Sequence, residues 1–184
     1  MKNILLIPLA SFALLGCGSS YYILSDIHPQ SVQKTLHTTI GVEQVDVPKY
    51  LFKRELAYIS NNSNEVIFDS NIQWAEDMNE ALTRRVIGSL QQKFKNPNIY
   101  PYPWGMDTQP DIKLHINITR FIAKGNKVYL QANYRIENLS NHKIKSYLFD
   151  TVVATDTNKY QNIVNAMDIA FEKLIGDISQ KIQY

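Results

Sequence analysis

Four histidines, one cysteine and a scatter of carboxylates are the side chains with the chemistry for catalysis or metal binding. His28, His37, His115 and His142 lie far apart, and none is joined to another at a metal-ligand spacing. A tetrahedral zinc site combines histidine nitrogens with thiolates, and a single cysteine, Cys17, supplies too few. A nucleophile elbow needs glycines flanking a serine at a strand-to-helix turn, and no glycine-rich loop is placed to cradle a phosphate. Neither motif occurs in the chain. Glu76 and Glu80 fall one helical turn apart, where a solvated helix face explains them without a shared proton or metal. Asp111 and Asp150 sit where strand edges are expected, and turn or register roles suffice for them. These groups converge on no reaction, so the expectation is a non-enzyme with no metal.

Cys17 is informative in another way. Met1 and Lys2 precede an apolar stretch from Ile4 to Leu15, and Leu14, Leu15 and Gly16 run directly into the thiol. A positive start, a short apolar segment and a small residue at the cut make a secretory signal. The stretch falls short of the ~20 residues that span a bilayer. A cysteine just after the small residue resembles the lipobox of bacterial lipoproteins. That resemblance implies diacylglycerol on the sulfur, cleavage of residues 1–16 and an acyl group on the new amine. The plainer alternative is a buried thiol inside an uncleaved anchor. Gly18 stands where enteric lipoproteins retained in the inner membrane carry aspartate, which points to the outer membrane, with the domain in the periplasm.

Composition sets further bounds. Residues 17–184 make one domain, large enough to bury a core without staples. With one cysteine in the chain, no intramolecular disulfide forms. The formal charge of the whole chain is +2, and losing Lys2 brings it closer to neutral. Such a balance gives no long-range field to attract nucleic acid or an acidic lipid surface. Attachment to a membrane therefore falls to the acyl chains, each buried methylene contributing about 0.8 kcal/mol.

The elements follow from periodicity. Tyr21–Leu24 suggests an edge strand, followed by polar, proline-containing sequence that reads as a tether to about Thr38. Ile40, Val42, Val45 and Val47 mark a strand with one slip near Glu43 and Gln44, ended by Pro48. Leu56–Ser60 and Val66–Asp69 flank an asparagine-rich turn and predict a hairpin. Ser70 or Asn71 is expected to cap a helix reaching about Phe94, with Trp74, Met78, Leu82, Val86 and Leu90 on one face. Ile112, Leu114, Ile116 and Ile118 alternate with polar residues, as do Val128, Leu130, Ala132, Tyr134 and Ile136. With a third strand at about Lys145–Thr155 they predict an antiparallel meander with one dry face. Thr157 or Asn158 then starts a terminal helix whose apolar stripe runs from Tyr160 to Ile182. Two helices covering one sheet face give an α/β (α+β) two-layer sandwich with a mainly antiparallel sheet.

Two surfaces stand out as binding candidates. Tyr100, Pro101, Tyr102, Pro103 and Trp104 form a stiff extended segment, whose rings either plug the edge of the core or offer Tyr100, Tyr102 and Trp104 to a partner protein or lipid tail. Tyr129, Gln131, Asn133 and Arg135 form an aromatic-bearing polar strip on the outward sheet face. A wet surface is the plain reading there, and partner or lipid binding through Tyr129, Gln131 and Arg135 is the functional one.

Taken in order, several short motifs resemble the PqiC-type ABC transport auxiliary lipoproteins. They are the lipobox followed by Tyr21, Tyr22, Ile23 and Leu24; Ile40, Gly41 and Val42 leading into Val47, Pro48, Lys49, Tyr50 and Leu51; Trp74, Ala75, Glu76 and Met78; and Tyr102, Pro103 and Trp104 before Asp111. Phe52 and Lys53 precede Arg54, where members often carry an acidic residue and arginine directly after the leucine. The resemblance implies a non-catalytic docking or binding subunit of an ABC/MCE-type intermembrane lipid transport system. Its partners would be an MCE-domain protein with the associated ABC permease and ATPase. No cofactor is implied beyond the covalent diacylglycerol and N-acyl lipid on Cys17. A bound phospholipid and a homo-oligomer stay open. The organisation expected is a lipoprotein signal peptide at 1–16, a lipidated N-terminus and tether at 17–38, and one auxiliary-lipoprotein domain at 39–184. The alternative role is an envelope lipoprotein assembly factor for an outer-membrane barrel.

Overall fold

A computed structural model describes residues 19–24, 34–61, 63–103, 109–156 and 159–182. The signal segment, Cys17, residues 25–33 of the expected tether, Trp104 and the cap expected at Thr157 or Asn158 lie outside the described residues. The chain opens with β1 (Ser20–Tyr22), β2 (Lys34–Thr35) and β3 (Thr39–Glu43). A 3-10 turn at Lys49–Phe52 leads into the hairpin of β4 (Glu55–Ile59) and β5 (Val66–Trp74). Helix α1 (Met78–Lys93) is followed by β6 (Phe94–Lys95) and β7 (Asn98–Tyr102). The meander β8 (Ile112–Lys124), β9 (Lys127–Asn138) and β10 (Lys143–Ala154) precedes helix α2 (Tyr160–Lys181).

Alternation builds the centre as expected. Leu114 and Ile116 of β8 and Leu130 and Tyr134 of β9 are wholly buried on the inner face, while their polar neighbours face outward. The inner face carries both helices: α1 buries Leu82, Val86 and Leu90, and α2 buries Ala170, Phe171 and Leu174. Phe171 stacks on Phe121 of β8 with ring centres 6.3 Å apart. This is the two-layer α+β sandwich, and none of its described helices is long and apolar enough to cross a membrane.

The sheet is more mixed than periodicity alone suggests. β4–β5, β8–β9 and β9–β10 are antiparallel. β1 runs parallel to β5, and β3 runs parallel to both β7 and β8. β8 is long enough to pair along one edge with β9 and along the other with β3 near its start and β4 at its end. The slip expected after β3 is real: the strand stops at Glu43, Val45 donates its N–H to Thr83 Oγ1 at 2.9 Å, and Asp46 bridges back to Asn117.

The first helix begins later than its residues suggest. Neither Ser70 nor Asn71 caps it; β5 continues to Trp74, and Asp77 occupies the N-cap position. The reason is pairing on both sides. Gln73 stands between Tyr21 of β1 and Glu55 of β4, and Trp74 donates its N–H to Arg54 O at 2.7 Å. Trp74 and Ile72 still enter the core, but from a strand. Residues assigned to the tether also pack with the domain: Tyr22 and Leu24 lie against the core, and Leu36 is buried within it.

The helices are joined by a network that periodicity does not reveal. Arg85, with a nearly buried side chain, reaches Asp168 at 2.9 Å and Glu172 at 3.0 Å, and Ser89 donates to the same Glu172 oxygen. Buried charge costs desolvation unless it is paired, so these groups hold α1 and α2 in one register.

Candidate functional site

Register decides which side chains share the outer face of the sheet. Glu43 lies opposite Tyr102, and Gly41 opposite Tyr100, so both tyrosines stand on the side of β7 away from the helices. Ile99, of the other parity, is the β7 residue that enters the core. The aromatic segment is therefore an edge strand with its inner residue buried and its two tyrosines half-buried outside. Gly41 is what permits this. A Cβ there would come within 2.8 Å of Pro110 Cγ, closer than real Cβ contacts, and 3.1 Å from Tyr102 Cβ, tighter than most of them. The missing side chain lets both ends of the β7–β8 connection lie directly on β3.

Next to Tyr102 is a charged cluster contributed by three strands. Lys113 Nζ is 2.9 Å from Glu137 and 3.7 Å from Glu43, and 6.0 Å from the centre of the Tyr102 ring. His115 Nδ1 contacts Glu43 at 2.8 Å, and its Nε2 lies 3.7 Å from Asp46. The hydrogen bond to Glu137 raises the Lys113 pKa, the Glu43 carboxylate adds to the effect, and partial burial opposes it. His115 is thus tied to two carboxylates on a half-buried surface. Among the described residues, no group of three or more histidine, cysteine, aspartate or glutamate side chains converges as a metal site requires.

The second predicted strip lies on the same face. Arg135 faces His115 across β8–β9 and Ser146 across β9–β10. Gln131 sits between Arg120 and Asp150, and Tyr129 lies under the Arg120 guanidinium, 4.1 Å from its ring centre. The structure therefore brings Tyr100, Tyr102, Tyr129, Gln131 and Arg135 onto one surface, with the Lys113 cluster between the two groups. Trp104 is outside the described residues, so its relation to that surface is not part of this geometry.

The same face holds a feature that simple alternation does not reveal. Ile144, Leu148 and Val152 of β10 point outward, and Leu148 is 89% exposed. Their even spacing, opposite in parity to Tyr147, Phe149 and Val153, was the available signal: β10 is apolar on both sides. A groove beside them is lined by Thr119, Gln131, Asn133, Leu148 and Asp150. Polar, aromatic and exposed aliphatic side chains on a sheet face suit protein docking better than chemistry.

A separate cleft of about 320 Å³ opens between the β4–β5 hairpin and the start of α2, lined by Tyr58, Ile67, Ala123, Tyr160 and Ile163. Tyr160 is committed there, donating to Asp69 Oδ2 at 2.5 Å. That bond pushes the Tyr160 pKa up to about 12. With the Asn71 amide, it also holds the Asp69 carboxyl below the usual range.

A family model described as ABC-type transport auxiliary lipoprotein component matches residues 22–179. The chain is 23% identical over 188 residues to the Intermembrane transport lipoprotein PqiC of Escherichia coli, covering 97% of this chain and 96% of the relative. The same figures hold for its namesake in Shigella flexneri. A crystal structure of an uncharacterized protein superposes with a TM-score of 0.74 at 18% identity, over 90% of this chain and 99% of the other. One from Xanthomonas campestris gives 0.71 at 13% identity, over 88% and 93%. At these identities the two structures establish the fold alone.

Proposed function

The chain belongs to the ABC-type transport auxiliary lipoprotein component family, and on that premise we propose that it is a lipid-anchored, non-catalytic docking subunit of an ABC/MCE-type intermembrane lipid transport system. The observation that carries this reading is the extent of the match: residues 22–179 run from β1 into α2, which is the whole folded unit. The relatives' name, intermembrane transport lipoprotein, supports a role between membranes. In this reading Cys17 carries diacylglycerol and an N-acyl chain and is held in the outer membrane, with the domain in the periplasm. Two or three acyl chains anchor stably where one does not.

The outer sheet face then acts as the docking surface. Tyr102, Tyr129, Gln131, Arg135 and Leu148 meet an MCE-domain protein, which in turn engages the ABC permease and ATPase. Confinement to the membrane raises the effective concentration of the partner, so weak contacts suffice.

Affinity purification of the full chain from native membranes tests the reading. The expected result is an MCE-domain protein as main partner, lost in an Arg135→Glu, Leu148→Glu double variant that remains membrane-bound. Cys17→Ala is expected to leave a folded precursor that no longer fractionates with the outer membrane. Recovery of an outer-membrane barrel as the main partner would replace this role with the assembly-factor one.

A further inference from the structure

We propose that the β1 edge of the sheet, with the adjoining turn at Phe52–Arg54, is a membrane-contacting surface that seats directly on the bilayer holding the anchor. The inference rests on the anchoring of Cys17 proposed above and adds to it an orientation.

Reach comes first. Ser20 is the first residue paired to β5, opposite Ile72, and Ser19 already contacts Ser70 O. Only Gly18 and Ser19 separate that strand from Cys17. Three residue steps of extended chain span about 10 Å, so an acylated Cys17 holds β1 within headgroup distance of the acyl chains. A long tether would leave the domain free to tumble, and this attachment does not.

The side chains at this edge suit such a position. Tyr22 and Leu24 pack inward, while Tyr21 and Ile23, of the opposite parity, are 63% and 56% exposed. On the far side of β5, Arg54 accepts the Trp74 N–H, and Tyr22 accepts that of Ala75. Those two bonds bring Phe52 and Ile23 to the same end of β5. Phe52 is 62% exposed and followed by the exposed Lys53 and Arg54. Water gains nothing from this exposed apolar set on a short edge strand. Tyrosine and phenylalanine rings instead partition into the headgroup region. Arg54 is paired with Asp77 at 3.4 Å, and the exposed Lys53, its ammonium 4.5 Å from the Phe68 ring centre, is the cation that anionic lipid attracts.

The test uses the mature lipidated protein reconstituted in phosphatidylethanolamine–phosphatidylglycerol vesicles containing lipids brominated high on the acyl chain. Tyr21→Trp, Phe52→Trp and Leu148→Trp are prepared separately, each read as its difference from the parent so that Trp74 and Trp104 cancel. The first two are expected to be quenched roughly twofold or more, as for side chains sunk 5–10 Å into the interface, with Leu148→Trp unaffected. Mass spectrometry of the N-terminal peptide is taken from the same samples. Acylated Cys17 with no quenching at 21 and 52, or with equal quenching at 148, overturns the orientation while leaving the anchor intact. An unmodified Cys17 overturns the anchoring reading itself, and the orientation falls with it.

Discussion

Two of the sheet's edge strands, β1 and β10, solve the same problem in opposite ways. β1 has three residues, runs parallel to its neighbour and is fixed by packing Tyr22 and Leu24 into the core. β10 has twelve residues, is registered to β9 along its whole length, and pairs with nothing on its other side among the described residues. A long open edge invites pairing with another chain. β10 meets that hazard with Lys143, Lys145 and Asp150, while leaving Ile144, Leu148 and Val152 exposed. The short edge is closed by length and the long one is guarded by charge. The long edge offers a partner twelve residues of strand, while the short edge begins three positions after Cys17 in the chain.

This contrast can be broken from either end. Trp74→Ala removes the large buried side chain on the strand that receives β1, and should lower stability by about 3–5 kcal/mol, read from the urea midpoint. Tyr160→Phe, which releases Asp69 on the same strand, should cost about 1 kcal/mol at neutral pH. The pH dependence has a definite sign. A carboxyl held below its usual value stabilises the fold above the unfolded pKa of about 3.9 and loses that contribution as pH falls through its folded value. The tyrosine, raised to about 12 in the fold, keeps its contribution below the unfolded value of about 10 and loses it as pH rises towards 12. Unfolding curves of the wild type should therefore weaken at both extremes, and those of Tyr160→Phe should be flatter in both windows.

At the opposite edge the effects are smaller and of another kind. Replacing Lys143 and Lys145 together by threonine should leave the unfolding midpoint nearly unchanged but produce concentration-dependent association, visible by sedimentation velocity. Leu148→Ser should change stability by no more than about 0.5 kcal/mol, yet weaken capture of the partner. A large loss of stability from Leu148→Ser would show that the side chain is structural and would remove β10 from the docking face.

The parts of the molecule built on strict repetition were legible in advance. Alternation placed β8 and β9 and identified their inner residues, and helical spacing placed α2. The same rule points Tyr129, Gln131 and Arg135 outward, and that is where they stand. What escaped depends on register between distant segments. Trp74 fits the apolar face of a helix as well as a strand, and only the pairing of its neighbour Gln73 with Tyr21 and Glu55 decides between them. The prolines around Tyr100 and Tyr102 concealed a strand that bonds to β3. The Lys113–Glu43–His115 cluster joins residues about seventy positions apart, and no local pattern announces it. Leu148 was hidden because β10 carries apolar residues of both parities, so its outward column did not read as one.

The pairing of β1 with β5 also bears on how the molecule is made. In a chain delivered from its N-terminus, Ser20 emerges early but must wait for Ile72 before it has a partner. Closing so long a loop is entropically slow. The first strand to emerge is thus among the last to be placed, and this edge of the sheet locks only once β5 exists.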